Sequence, residues 1–203
     1  MNPSYFFGVF ARLVSSAASA WDWLISFSQN IIPGAGTKSL GAGPLVWISA
    51  QNAVKYSFTG QQEGNYARLN IAPTLNRPFV AEWDIEAVSD SWGNRHFGVH
   101  LFDVNNPDLT GYRLASYGTS WYYDKMVGQT SVAQTNINTH AGYPIPTGVL
   151  TVRIVALATT IEFYVNGVLL STIADTSFTA FKPGMMLVGC ELLCYEMRAG
   201  PIV

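Results

Sequence analysis

Two periodicities divide the chain. From about residue 4 to 30, polar or small residues recur at Gly8, Arg12, Ser15, Ser19, Asp22, Ser26 and Gln29. That spacing of three and four marks one narrow stripe on a helix. The remaining surface is apolar, with Phe6, Phe7, Phe10, Leu13, Ala17, Trp21, Leu24 and Phe27. Asn2-Pro3 supplies an N-cap followed by proline at the first helical position. An N-terminal α-helix over residues 1–32 is predicted. A helix apolar over most of its circumference must be buried in something.

After residue 44 the period changes to that of short strands between turns. The segment 33–44 is rich in glycine and proline and reads as a linker. Strands are expected over 45–50, 53–58, 66–71, 79–88, 95–103, 112–117, 120–127, 149–157, 161–165, 168–173 and 186–197. Asn76-Arg77-Pro78, Asn105-Asn106-Pro107 and Lys182-Pro183-Gly184 read as turns between them. The sharpest local signal is Asn166-Gly167 between two apolar runs, which fits the positive-φ positions of a type I′ hairpin turn. Many short strands at this spacing predict an all-β, two-sheet antiparallel jelly-roll sandwich over 45–203, preceded by the helix.

The apolar first segment admits three readings. A secretory signal peptide would use Ala18-Ser19-Ala20 as its cleavage site, but no positive charge precedes the apolar run and Arg12 interrupts it. A membrane span would bury Arg12 and Asp22, which are too far apart to pair along the helix. The preferred reading is an anchor that docks on partner subunits through Phe6, Phe10, Leu13, Trp21 and Leu24.

Composition narrows the function classes. Only 12% of the 203 residues are charged, against 49% hydrophobic. The surface must be polar through Ser, Thr, Asn, Gln and Tyr, which suits an assembly or an extracellular setting better than a lone cytosolic enzyme. The net charge is −2 and the eleven Lys and Arg are scattered. A nucleic-acid partner, which needs a dense positive face, is therefore not expected. Cys190 and Cys194 are four apart. On one strand that is about 13 Å, too far for a disulfide. They read as small buried hydrophobes.

Four stretches resemble the concanavalin A-like lectin and glucanase superfamily. They are Phe79-Val-Ala-Glu-Trp-Asp-Ile-Glu, Arg95-His-Phe-Gly-Val-His-Leu-Phe, the hairpin Ile161-Glu-Phe-Tyr-Val-Asn-Gly-Val after Leu150-Thr-Val-Arg-Ile-Val, and Lys182-Pro-Gly with its closing strand to Tyr195-Glu-Met-Arg-Ala-Gly. The resemblance implies that sandwich over residues 40–203. It does not fix function, because one fold hosts many. The layout of an apolar helix before such a domain also resembles phage decoration, fibre and tail proteins.

Three constellations could carry chemistry. Glu82-Trp83-Asp84-Ile85-Glu86 resembles the nucleophile motif of laminarinase-like retaining glycosidases. The resemblance implies Glu82 as nucleophile, Asp84 as its electrostatic partner and Glu86 as acid/base. Strand alternation puts the three on one face. The tryptophan-rich stretch expected before the motif is missing, and a wet strand face is the plainer reading. Asp103, Asn105 and Asp108 offer oxygen ligands of the kind a calcium loop uses, although such clusters also make simple turns. Trp92, Tyr117, Trp121, Tyr123 and Asp124 are the candidate glycan contacts, with core packing as the alternative.

These readings converge on a non-enzymatic virion structural protein. Its helix docks on other virion subunits, and its lectin-like domain stabilises the particle or holds surface glycans. A homo-oligomer without cofactor is expected, with calcium as the weaker option. The rivals are a laminarinase-like retaining endo-glycosidase and a secreted lectin, with an extracellular or membrane-associated location.

Overall fold

A computed structural model describes residues 23–26, 37–40, 45–51, 53–57, 65–69, 74–90, 96–106, 110–117, 120–128, 130–137, 148–188 and 190–202. Sixteen strands are described: β1 Trp23–Ser26, β2 Thr37–Leu40, β3 Leu45–Ile48, β4 Ala53–Ser57, β5 Asn65–Leu69, β6 Leu75–Asn76, β7 Phe79–Asp90 and β8 His96–Asp103, then β9 Gly111–Tyr117, β10 Ser120–Val127, β11 Thr130–Asn136, β12 Leu150–Ala156, β13 Thr160–Val165, β14 Val168–Ala174, β15 Ala180–Val188 and β16 Cys190–Pro201. They form two antiparallel sheets. Sheet A has the order β14-β13-β12-β7-β16-β4-β3, with β1 beside β16. Sheet B has the order β11-β10-β9-β8-β15-β5-β2, with β6 beside β15.

The core lies between the sheets, and alternation decides which residues enter it. On β12, Leu150, Val152, Ile154 and Ala156 point inward while Thr151, Arg153 and Val155 point out. On β7, Phe79, Ala81, Trp83, Ile85 and Ala87 are the inward set. They meet Phe97, Val99, Leu101, Tyr112, Leu114 and Phe181 of sheet B. Phe79 contacts Phe181 at 5.4 Å and Tyr123 contacts Phe163 at 5.1 Å between ring centroids. Each large apolar side chain withdrawn from water contributes roughly 1.5–3 kcal/mol. Cys194 is free and buried in this core. Burial and the nearby Asp84 charge push its thiol up.

The hairpin follows its sequence signal. Asn166 and Gly167 take φ of 47° and 77°, and Val165 pairs with Val168. Among the described residues, four β-bulges interrupt the ladders. Two residues oppose one at Leu170 on β14, Val132 on β11, Val88 on β7 and Tyr195 on β16. The terminal strands β14 (VLLSTIA) and β11 (TSVAQTN) contain neither a charged residue nor a proline.

Several expectations are corrected. Trp23–Ser26 lies inside the expected helix but forms a strand, with Trp23 opposite Ala199 and Ser26 opposite Glu196. The physical reason is on β16. There β4 pairs only with Glu191–Cys194, and β1 satisfies the backbone groups that follow. Residues 1–22 lie outside the described residues, and among those described no α-helix occurs. No described helix is long and apolar enough to cross a membrane. Thr37–Leu40, within the expected linker, pairs with β5. Lys182-Pro183-Gly184 is not a turn but the interior of β15. Proline fits because its missing N–H faces the gap between β6, whose pairing with β15 stops at Phe181, and β5, whose pairing with β15 starts at Gly184.

Candidate functional site

Three acids, Glu82, Asp84 and Glu86, lie on the outward face of β7, and their neighbours come from β12 and β16. Glu82 stands in register with Arg153 on one side and Arg198 on the other. The three strands therefore set Arg-Glu-Arg in one row. Arg153 Nε donates to Glu82 Oε2 and Arg198 Nη2 donates to Oε1. Both carboxylate oxygens are engaged, and Glu82 is only 2% exposed. Arg198 also pairs with Glu196 and reaches Asp84 Oδ2 at 3.5 Å. Thr151 Oγ1 donates to Asp84 Oδ1 at 2.7 Å.

Glu86 ends the row differently. The bulge at Tyr195 brings that side chain to the outer face, where its hydroxyl donates to Glu86 Oε2 at 2.5 Å. Burial and this bond to a carboxylate push the Tyr195 hydroxyl up to about 12. Among the described residues, nothing donates to Glu86 Oε1. Lys55 pairs with Glu191 at 3.2 Å, and Tyr164 donates to Glu162 at 2.6 Å. The acid-rich face is thus tied down by its own cations and phenols. It is a ladder of paired charges rather than the wet strand face read from the sequence. Retaining hydrolysis needs a nucleophilic carboxylate open to the sugar, with a second carboxyl about 5–5.5 Å away. Glu82, held by two guanidiniums, does not offer that.

The aromatic candidates fall elsewhere. Trp121 and Tyr123 point into the core and are 3% and 2% exposed. Trp121 meets Phe97 edge-on at 5.8 Å, and Tyr123 stacks on Tyr112 at 6.1 Å. Neither has a ring face to offer a sugar. The run Trp121-Tyr122-Tyr123 is apolar on both faces, and the partly exposed one is Tyr122. Asp124 points outward on sheet B, yet it is fully buried against Arg113 and accepts from Ser131 Oγ. His100 is buried on the same sheet. Burial, and then the Arg113 charge, lower it to about 3. Trp92 and the side chain of Tyr117 lie outside the described residues.

At the calcium candidate, Asp103 Oδ2 accepts from the backbone N–H and side-chain amide of Asn106, as a turn-forming aspartate does. Asn105 is exposed and Asp108 lies outside the described residues. Among the described residues no group of three or more His, Cys, Asp or Glu could hold a metal. Phe6, Phe10, Leu13 and Trp21 of the expected anchor also lie outside, while Leu24 is on β1, opposite Arg198.

Sequence reading missed Asp175, whose only local signal is that of a turn aspartate. It follows β14 and gathers partners from four elements. Tyr112 donates to its Oδ1 at 2.5 Å, Ser177 N–H donates to the same oxygen at 2.8 Å, and Lys125 Nζ donates to Oδ2 at 3.0 Å. Arg77 Nη1 donates to its backbone carbonyl at 2.7 Å. Burial alone would push the Asp175 carboxyl up. The donors, Tyr112 first, outweigh it and bring the group down to about 2.

No family model and no curated protein sequence matches the chain. Solved structures do. A Bacillus subtilis protein of unknown function with a galectin-like fold superposes with TM-score 0.66 at 10% identity, over 91% of this chain and 98% of that one. A carbohydrate-binding module from Bacillus subtilis gives 0.61 at 14%, over 82% and 96%. A Bacillus licheniformis β-glucanase gives 0.58 at 11%, over 88% and 97%. The likeness establishes the fold, the two-sheet sandwich of galectin-like and concanavalin A-like proteins.

Proposed function

We propose that this chain is a non-catalytic glycan-binding module, with the outer face of sheet A as its contact surface and Tyr195 and Glu86 as the pair that meets the sugar. The observation that carries the reading is the state of the three acids. Glu82 and Asp84 are consumed by Arg153, Arg198 and Thr151, whereas Glu86 keeps one oxygen free beside a bulge-presented phenol. A carboxylate oxygen next to an aromatic ring suits sugar hydroxyls and the C–H face of a pyranose. Structural neighbours that bind carbohydrate support the same class. In this reading the segment 1–22 attaches the module to a larger assembly, a virion by the layout of the chain.

The test is affinity electrophoresis of the full chain in gels cast with neutral polysaccharides, alongside a reducing-sugar assay on the same polymers. Retardation is expected, with loss in Tyr195→Ala and Glu86→Gln and no release of reducing ends. Turnover that disappears in Glu82→Gln would establish the glycosidase instead. Removing residues 1–22 should leave retardation intact and abolish co-sedimentation with the particle.

A further inference from the structure

The connection between β14 and β15, residues 175–179, leaves the edge of sheet A and enters the middle of sheet B. It crosses one end of the sandwich as a strap. Arg77 ties both of its ends: Nη1 donates to the Asp175 carbonyl at 2.7 Å, and the backbone N–H donates to the Thr179 carbonyl at 3.2 Å. The Phe178 ring sits 5.0 Å from that of Tyr112, and Lys125 Nζ lies 5.7 Å from the Phe178 ring. The Arg77 guanidinium lies 5.7 Å from the Tyr112 ring and 5.9 Å from the Phe181 ring.

Two polar atoms of the side chains around Tyr112 are buried without a hydrogen-bond partner among the described residues: Arg77 Nε and Tyr123 Oη. Both side chains pack against Tyr112, Arg77 over its ring and Tyr123 stacked on it at 27°. They are complementary, because Nε–H can only donate whereas a phenol both donates and accepts. A buried donor or acceptor left unmet carries its full desolvation cost. On the side of the guanidinium that Nε–H faces, Arg77 Nη2 donates to the Tyr112 hydroxyl at 3.4 Å, and that oxygen offers an acceptor lone pair. A water molecule needs about two to four such partners to stay bound inside a protein.

We propose that the strap closes over a single structural water held between Arg77 Nε and Tyr123 Oη. The water accepts from Nε–H, exchanges a hydrogen bond with the Tyr123 hydroxyl and donates to the Tyr112 hydroxyl that Arg77 Nη2 also meets. It thereby links the Arg77 turn to sheet B at a point where neither side chain reaches the other.

Two measurements on the full chain test this. A high-resolution crystal structure should show a solvent peak within hydrogen-bond reach of both atoms, and none there overturns the proposal. Oxygen-17 relaxation dispersion should count one fewer long-lived internal water in Tyr123→Phe than in the parent. An unchanged count overturns it, as does a higher melting temperature in Tyr123→Phe, the result expected from deleting a hydroxyl that had no partner.

Discussion

Arg113 and Asp124 form a buried ion pair between neighbouring strands, with Nε at 2.7 Å and Nη2 at 2.6 Å from the same carboxylate oxygen. Their side chains are 3% and 0% exposed. Desolvating two charges offsets most of their attraction, so the pair adds little net stability while making either partner costly to lose. Asp124→Ala or Arg113→Ala should each lower the unfolding free energy by roughly 3–5 kcal/mol. The double change Arg113→Ala with Asp124→Ala should cost much less than the sum of the two single losses. Urea unfolding of the four proteins in the cycle measures this, and additive losses would rule the coupling out.

His100 sets an acid limit on stability. Its folded value is about 3, against an ordinary 6.5, because burial and then Arg113 disfavour the charged ring. The unfolded chain therefore binds a proton that the folded chain refuses. The contribution is complete above about pH 6.5 and is lost progressively as pH falls toward 3. Replacing His100 with Gln should flatten the difference in stability between pH 7 and pH 4 relative to the parent. Equal slopes in the two proteins would show that the ring is not held neutral.

Glu82→Gln should be destabilising even though the residue lies on an outer face. It leaves Arg153 and Arg198 facing a neutral amide in a row where Glu82 is only 2% exposed. The expected loss is about 1–3 kcal/mol, the range for removing one partner of a buried hydrogen-bonded set. Glu86→Gln, which disturbs only the bond from Tyr195, should cost less than half as much. Thermal melts of the two variants, side by side, decide the order.

Gly167 occupies φ of 77° in an exposed turn with open space around it. Steric crowding therefore plays no part there, and only the backbone conformation penalises a side chain. Gly167→Val should cost at least ~1 kcal/mol, the scale of one strained backbone site. Gly167→Asn should cost clearly less, since Asn tolerates the left-handed region. Indistinguishable melting temperatures for the two would contradict the turn geometry.

What was legible in the sequence follows the range of the physics. β12 shows its alternation within seven residues, and the hairpin at Asn166-Gly167 announces its own turn. Those elements emerged correctly because nearest neighbours specify them. The partners of Glu82 were not legible. Arg153 and Arg198 lie 71 and 116 residues away and meet it only through strand register. The phase of β10 was hidden for another reason. Trp121, Tyr122 and Tyr123 are all apolar enough to enter a core, so alternation did not say which of them would. The strand at Trp23–Ser26 carries a helical period, and the open side of β16 overrode it.

Leu170 and Val132, the extra residues in the two terminal strands on one side of the sandwich, also govern how one molecule meets another. A strand at the end of a sheet exposes a row of unmet backbone groups, and proteins usually guard it with lysine or proline. With charges so sparse, this chain has none to spare on β14 or β11. The added residue bends each strand and sharpens its twist, so its rim cannot lie flat along an extended segment of a neighbour. Colloidal behaviour on that flank therefore rests on backbone shape rather than on electrostatic repulsion, and it should be nearly indifferent to salt.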